Sequence, residues 1–323
     1  MKKIVLFLVV AAFAAVATLT LEGCSREPEH GLRIGTNVWI GSEPLYLARE
    51  MGYMDPTQVQ LVEYPSASEV LRAFRNQAID GMVISLDELF GLAADGLKPR
   101  VVLVVDVSHG ADVIVGRKEM KSMHDLKGRS IAVESGALGA FVLSRALAVN
   151  NMQASDVNVV HLETNEQAAA FEKGTVDGAV TFDPYRAKML NAGGTTLFDS
   201  KQIPGEIVDL VAVRAEALEK HPKLVDAMLK GWFRAFDYMK QNPLDAAKRM
   251  GTRQQTSGEQ FLAAQGGLHI PTREENLDMI GGAKPQLVTT GSKLMSLMLD
   301  AKLLSAPVRI EDLLAPQPLE RLM

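Results

Sequence analysis

From residue 32 onward, short runs of β-branched and aliphatic residues alternate with stretches whose apolar positions recur every three to four residues. The first pattern describes buried strands and the second amphipathic helices. Strands are expected at 32–37, 59–64, 81–85, 101–107, 112–116, 129–134, 158–161, 178–182 and 209–213, with helices between most of them. Regular alternation of this kind predicts an α/β fold whose sheets are mainly parallel and flanked by helices.

The pattern also repeats. Phe74-Arg75-Asn76-Gln77-Ala78-Ile79-Asp80-Gly81-Met82-Val83 reads like Phe171-Glu172-Lys173-Gly174-Thr175-Val176-Asp177-Gly178-Ala179-Val180. Each is a helix end, a turn through Asp-Gly and a buried strand. The same offset lays the strand at Ile34 on that at Ile131, and the strand at Leu61 on Asn158. One β-α-β-α-β unit is therefore expected twice, in two lobes: 32–107 in the first, 108–213 in the second.

After Val213 the pattern turns helical, and 214–323 is expected to return to the first lobe as a helical region. His221-Pro222 opens a stretch to about Gln241 that places Leu224, Met228, Trp232, Phe236 and Met239 on one face. Thr256-x-x-Glu259 and Thr272-x-x-Glu275 have the form of capping boxes, and 286–300 reads as a further helix.

Charge and cysteine usage narrow the function classes. A net charge of −5 without a basic block gives no footprint for nucleic acid. A single cysteine excludes an internal disulfide, and the six scattered histidines form no H-E-x-x-H pair, so neither metal nor cofactor is expected. There is no G-x-G-x-x-G, no phosphate-binding loop ending in Gly-Lys-Ser/Thr and no G-x-S-x-G. No enzyme is expected from these motifs.

The amino terminus supplies an address. Lys2 and Lys3 precede an apolar run to about Thr20, and Leu21-Glu22-Gly23-Cys24 follows. A positive start, an apolar stretch and a small residue before a cut describe a signal peptide, here 1–23. The only cysteine sits at its end, which resembles a bacterial lipoprotein signal with Cys24 as the lipidated first residue; Glu22 departs from the usual small neutral residue. A tether at 24–31 then leads to the body, on the outer face of a membrane or in the periplasm.

In open α/β sheets ligands bind beyond the carboxyl ends of the strands. The loops at those ends contain Trp39 and Gly41, then Ser66 and Ser68, then Ser85. Ser108 and His109 mark the crossing between lobes, and Ser135, Gly136, Thr164 and Asp183 follow in the second lobe. Free N–H groups at helix starts suit an oxyanion, and Ser135-Gly136 is the strongest such place. Ser and Thr are also the preferred N-caps, so each hydroxyl has a purely helical reading as well. Trp39, Tyr64, Phe182 and Tyr185 form either a ligand wall or core. Glu134 and Asp183 would repel a plain anion and favour an ammonium group, which points to a zwitterion.

Ile34-Gly35-Thr36-Asn37-Val38-Trp39-Ile40-Gly41, the run Glu43-Pro44-Leu45-Tyr46-Leu47-Ala48-Arg49-Glu50-Met51-Gly52-Tyr53, Asp125-Leu126-Lys127-Gly128 and Asp183-Pro184-Tyr185 carry a family likeness. The chain resembles the substrate-binding proteins of ABC importers for nitrate, sulfonates, taurine and thiamine-pyrimidine precursors, over about 32–314. That resemblance implies a two-lobed type II periplasmic binding protein fold, with Trp39, Ser66, Ser85, Ser135 and Asp183 in loops lining the cleft. It further implies a monomer that closes on a small-molecule ligand and delivers it to a permease with a separate ATPase. The ligand class does not carry over, and the loops offer no Arg to clamp a sulfonate. Two rivals remain: a sensor reporting to a membrane signalling partner, and a transferase on the same fold.

Overall fold

The computed structural model of the chain describes residues 31–322, Ala137 excepted. The expected signal peptide, Cys24 and most of the expected tether lie outside the described residues. No described helix is long and apolar enough to cross a membrane.

The first lobe begins with β1 (Leu32–Thr36), α1 (Glu43–Glu50), β2 (Val59–Glu63), α2 (Ala67–Arg75), β3 (Gly81–Ser85), α3 (Leu86–Ala94) and β4 (Pro99–Ser108). The second contains β5 (Val113–Gly116), β6 (Ser130–Val133), α4 (Leu138–Val149), β7 (Asn158–His161), α5 (Thr164–Glu172), β8 (Gly178–Thr181), α6 (Tyr185–Asn191) and β9 (Thr195–Asp199). The chain then returns through β10 (Val208–Arg214) to α7 (Ala215–Lys220), α8 (Pro222–Gln241), α9 (Pro243–Arg253), α10 (Gly258–Gln265), β11 (Leu268–His269), α11 (Arg273–Ile280), α12 (Gln286–Asp300) and α13 (Gln317–Glu320). One sheet has the order β11-β4-β10-β3-β1-β2 and the other β7-β6-β8-β5-β9.

The Asp-Gly echo is a repeated piece of hydrogen bonding. Asp80 Oδ2 accepts from the Arg33 N–H at 2.9 Å, and Asp177 Oδ2 accepts from the Ser130 N–H at 3.0 Å. Each aspartate thus fixes the start of the central strand against the third strand. The register is the same in both lobes, Ile34 facing Gly81 and Ile131 facing Gly178. Both glycines lie against an antiparallel neighbour whose carbonyl leaves little room for a Cβ: the Ala212 oxygen would sit 3.0 Å from one at Gly81, the Val115 oxygen 2.9 Å from one at Gly178. The outer strands differ by one position, since Ile34 pairs with Leu61 while Ile131 pairs with Val159.

Among the named strands parallel pairing is confined to the repeated unit, antiparallel strands extend both sheets, and a single parallel bridge joins Val101 to Leu314. β10 corrects the expected boundary. Instead of closing the second lobe, it runs antiparallel between β3 and β4 of the first, with Asp209 opposite Ser85 and Asp106. A strand buried along almost its whole length needs neighbours on both edges, and the second-lobe sheet already places β5 beside β8 and β9.

The helical region packs largely as its pattern predicts. α8 buries Val225, Met228, Leu229, Trp232, Phe233 and Met239, so its inner face is rotated slightly from the expected stripe and leaves Leu224 and Phe236 half-buried. The α11 box forms as read, with Thr272 Oγ1 accepting from the Glu275 N–H at 3.2 Å and Glu275 Oε2 from the Thr272 N–H at 2.7 Å. The α10 box lies one residue later than expected, on Ser257 and Gln260, because Ser257 rather than Thr256 has the extended N-cap backbone.

α11 also braces β4 where its pairing with β10 shifts register between Asp209 and Leu210. Asn276, fully buried, accepts from the Val104 N–H at 2.6 Å and donates towards the Val104 carbonyl at 3.2 Å. Asn276→Ala would orphan both backbone groups, and a loss of about 2–3 kcal/mol is expected in urea unfolding. A change within 0.5 kcal/mol, about what an exposed surface site gives, would show that β4 does not depend on this brace.

Candidate functional site

The carboxyl ends of β3 and β8 face one another and enclose a cavity of about 40 Å³. The first lobe contributes Trp39, Ser85, Glu88 and Asp209 to its wall, and the second Glu134, Thr164, Thr181 and Phe182. Asp112, at the crossing from β4 to β5, closes its base. No Lys, Arg or His is among the described residues lining it.

Two carboxylates bridge the lobes reciprocally. Glu88, in the first turn of α3, accepts from the Ser85 N–H at 2.9 Å and from the Leu138 N–H of α4 at 3.2 Å. Glu134, just after β6, accepts from the Ser68 N–H of α2 at 2.7 Å and from the Thr164 hydroxyl. Each lobe thus places an acid on the free N–H groups at the start of a helix in the other, where a negative charge is favoured.

Deeper in, Asp106 and Asp209 face each other across β4 and β10. The Trp39 indole N–H donates to Asp106 Oδ2 at 3.0 Å. Burial pushes the Asp106 carboxyl up to about 7. Burial, with the Asp106 and Asp112 charges added, holds Asp209 well above the carboxylate range. Burial likewise raises Asp112 to about 7 and Asp87 to about 6, and Glu88 to about 8 with the Asp87 charge added. Asp112 Oδ2, Asp209 Oδ2 and Thr181 Oγ1 are buried without a hydrogen-bond partner among the described residues.

Trp39 meets Phe182 edge-on across the cleft, ring centroids 5.1 Å apart at 88°, and Phe182 meets Tyr185 at 6.0 Å. The lobes are joined at the crossing by Ser200. Its hydroxyl pairs with that of Ser108 at 2.8 Å and accepts from the Gly110 N–H at 2.6 Å, while its N–H donates to the Asp112 carbonyl at 3.0 Å.

Of the residues expected at the site, Trp39, Ser85 and Thr164 line the cavity. Gly41 lies behind it, where a Cβ would collide with the Asp106 carboxylate and the Trp39 indole. Ser66 caps α2, accepting from the Glu69 N–H at 3.3 Å, and Ser68 takes part in the bridge to Glu134. Ser108 and His109 belong to the crossing, His109 donating its N–H to the Gly267 carbonyl at 2.8 Å. Ser135 and Gly136 are exposed and outside the cavity, with the Ser135 hydroxyl on His161 Nδ1. Asp183 borders a neighbouring pocket with Ile40 and Gln254 and accepts from the Ala187 N–H at 3.1 Å. The reading by loops passed over Asp106, Asp112, Asp209 and Glu88. Their signal was present: a lone acid inside an apolar run, as in Val105-Asp106-Val107 and Val208-Asp209-Leu210, is costly unless it is used.

The NMT1-like family matches residues 25–253 of the chain. A Bacillus subtilis (strain 168) protein named for binding aliphatic sulfonates is 28% identical over 270 residues, 76% of this chain and 77% of that protein. The taurine-binding periplasmic protein of Escherichia coli (strain K12) is 26% identical over 52% of this chain and 53% of its own length. The alkanesulfonate-binding protein SsuA of Xanthomonas axonopodis pv. citri superposes with a TM-score of 0.75 over 90% of this chain and 100% of that one, at 19% identity. The fold also carries an enzyme, the desulfurization enzyme DSZB, with a TM-score of 0.67 at 15% identity over 91% of this chain and 98% of that one.

Proposed function

The chain belongs to the NMT1-like family, and from that premise we propose that it is the solute-binding component of an ABC importer, taking up a small molecule between its lobes. The observation that carries this reading is the cavity lined from both lobes, with buried acceptors left free to meet a solute. A ligand touching both walls favours the closed arrangement over the open one by whatever it gains from the second wall. The bridges from Glu88 and Glu134 then set how readily the lobes part.

In this reading the protein works outside the cytoplasm, as its taurine-binding relative does. Lipid on Cys24 holds it to the membrane, and it delivers its solute as a monomer to a permease whose ATPase is a separate chain. It is read as a receptor rather than an enzyme, because its relatives are named as binding proteins and Glu88 and Glu134 are engaged with backbone N–H groups. Trp39, Ser85 and Thr164 touch the solute, while Gly41, Ser66, Ser68, Ser108 and His109 hold the walls and the crossing.

The test is a thermal-shift screen of residues 25–323 against sulfonates, nitrate, taurine, amines, amino acids and pyrimidines. Ligand at one hundred times Kd adds about 2.7 kcal/mol of stability. A midpoint raised by roughly 5–10 °C is expected, since each kcal/mol moves a chain of this size by about 2–4 °C. Thr181→Trp, which fills the cavity, is expected to abolish the shift. A flat response to the whole panel, or a shift that survives Thr181→Trp, would count against the cleft as a receptor site.

A further inference from the structure

Resting on the receptor reading above, we propose that the solute is a small organic cation whose ammonium group is held between Asp112 and Asp209. The wall gives three kinds of reason: what it offers, what it has already filled, and how much space it leaves.

Asp112 is 2% exposed, Asp209 6% and Thr181 1%, yet each has an oxygen without a hydrogen-bond partner among the described residues. All three residues line the same cavity. Such atoms are expensive to bury alone, and an ammonium group brings up to three donors and no acceptor. Trp39 and Phe182 in the same wall add aromatic surface that suits a cation's alkyl or methyl groups.

An anion has nowhere to go. The helix starts facing the cleft, where an oxyanion would be favoured, already hold Glu88 and Glu134. The titratable groups acting on Asp112 and Asp209 are Asp87 and Glu88 from α3 and Asp106 from β4, all of them acids, and Glu134 of the second lobe acts in turn on Glu88. A sulfonate would join them with no countercharge, and a buried unpaired charge is among the costliest arrangements in a protein. Among the described residues no group of three or more His, Cys, Asp or Glu is arranged to hold a metal ion. A cavity of about 40 Å³ limits the solute to a few non-hydrogen atoms unless the lobes part further, since one water needs roughly 10–15 Å³ on this measure.

Proton linkage gives a signature. Burial holds Asp112 and Asp106 near 7, so an arriving ammonium displaces protons from the wall. Affinity should therefore rise with pH, up to about tenfold per unit for each proton released.

The experiment is calorimetric titration of the protein with methylamine, ethanolamine, choline and putrescine, and with taurine and ethanesulfonate, at pH 6 and pH 8. We expect at least one amine to bind, about tenfold or more tightly at pH 8, with proton release seen as a buffer-dependent heat. Asp112→Asn and Asp209→Asn should each weaken it by about tenfold or more, as loss of a buried charge-assisted bond does. Thermal melting checks that both variants fold, and Thr181→Val serves if one does not. Taurine binding supports the proposal when Asp112→Asn abolishes it and opposes it otherwise. Ethanesulfonate binding with no amine bound overturns the cation while leaving the receptor reading intact. No binding by any amine also overturns it, and a flat response to the wider screen, or a shift there that survives Thr181→Trp, would bring down the receptor reading too.

Discussion

Arg253→Met is expected to destabilise the protein by about 3–5 kcal/mol, because it strands a buried carboxylate. Glu43 opens α1 with no exposed surface. Arg253, the last residue of α9, donates from Nε to Glu43 Oε2 at 2.8 Å and to Oε1 at 3.0 Å. Its Nη1 reaches Glu63 Oε2 at 2.7 Å, and its guanidinium lies 3.6 Å from the centre of the Tyr46 ring. Gln254 supplies a further donor to Glu43. Burial pushes the Glu43 carboxyl up and the Arg253 hydrogen bonds pull it back. Without the guanidinium, Glu43 must either take a proton or open the packing of α1 against α9. Urea unfolding measures the loss, and the double variant with Glu43→Gln should recover most of it, since removing both partners leaves no uncompensated charge. A single-variant loss below about 1 kcal/mol, the range of an exposed pair, would mean that water reaches Glu43. The contact matters beyond stability: α1 directly follows the Trp39–Gly41 loop, so the helical region fixes one wall of the cavity through this pair.

How far the sequence foretold all this depends on the range of the interaction. The repeat was legible because its signals are local: Asp80-Gly81 and Asp177-Gly178 each join a helix end to a strand, and their aspartates bond the strand next door in the same way in both lobes. The strands at Ile34 and Ile131 show their burial in their own composition. β10 did not show its lobe, because a run such as Val208–Arg214 states that it is buried but not which strands lie beside it. The site divides along the same line. Trp39, Ser85 and Thr164, which line the cavity, are reached by following strand ends, a rule of topology. Asp209 and Asp106 come together only through the β4–β10 register, and Glu88 meets Leu138 only across the cleft. Ser135-Gly136 had the right local chemistry for an anion, but the N–H at the start of α4 is taken by Glu88.

Between pH 5 and pH 8 the protein should lose about 3 kcal/mol or more of stability. An acid whose pKa is raised in the folded state binds more protons there than in the unfolded chain, so stability falls as pH rises from the unfolded value towards the folded one. Burial places Asp87 near 6, Asp106 and Asp112 near 7 and Glu88 near 8, against about 4 for free carboxyls. Each unit of separation is worth about 1.4 kcal/mol, and because these groups interact their contributions do not simply add. Asp80 and Asp177 are held below the usual range, so what they contribute is present above their unfolded values and is lost only at more acid pH. Stability should therefore peak near pH 5. Urea unfolding at unit steps of pH tests this, and a flat profile from 5 to 8 would show that the cleft acids are ionised and solvated in the folded state. Asp209→Asn removes one acid from the pair facing across β4 and β10, and it should raise stability at pH 8 more than at pH 5. A bound ammonium should act in the same sense by supplying the missing countercharge, so saturating amine should flatten the fall with pH. The acids that make the cleft a place for a cation are then the same ones that make the cleft costly to keep closed at high pH.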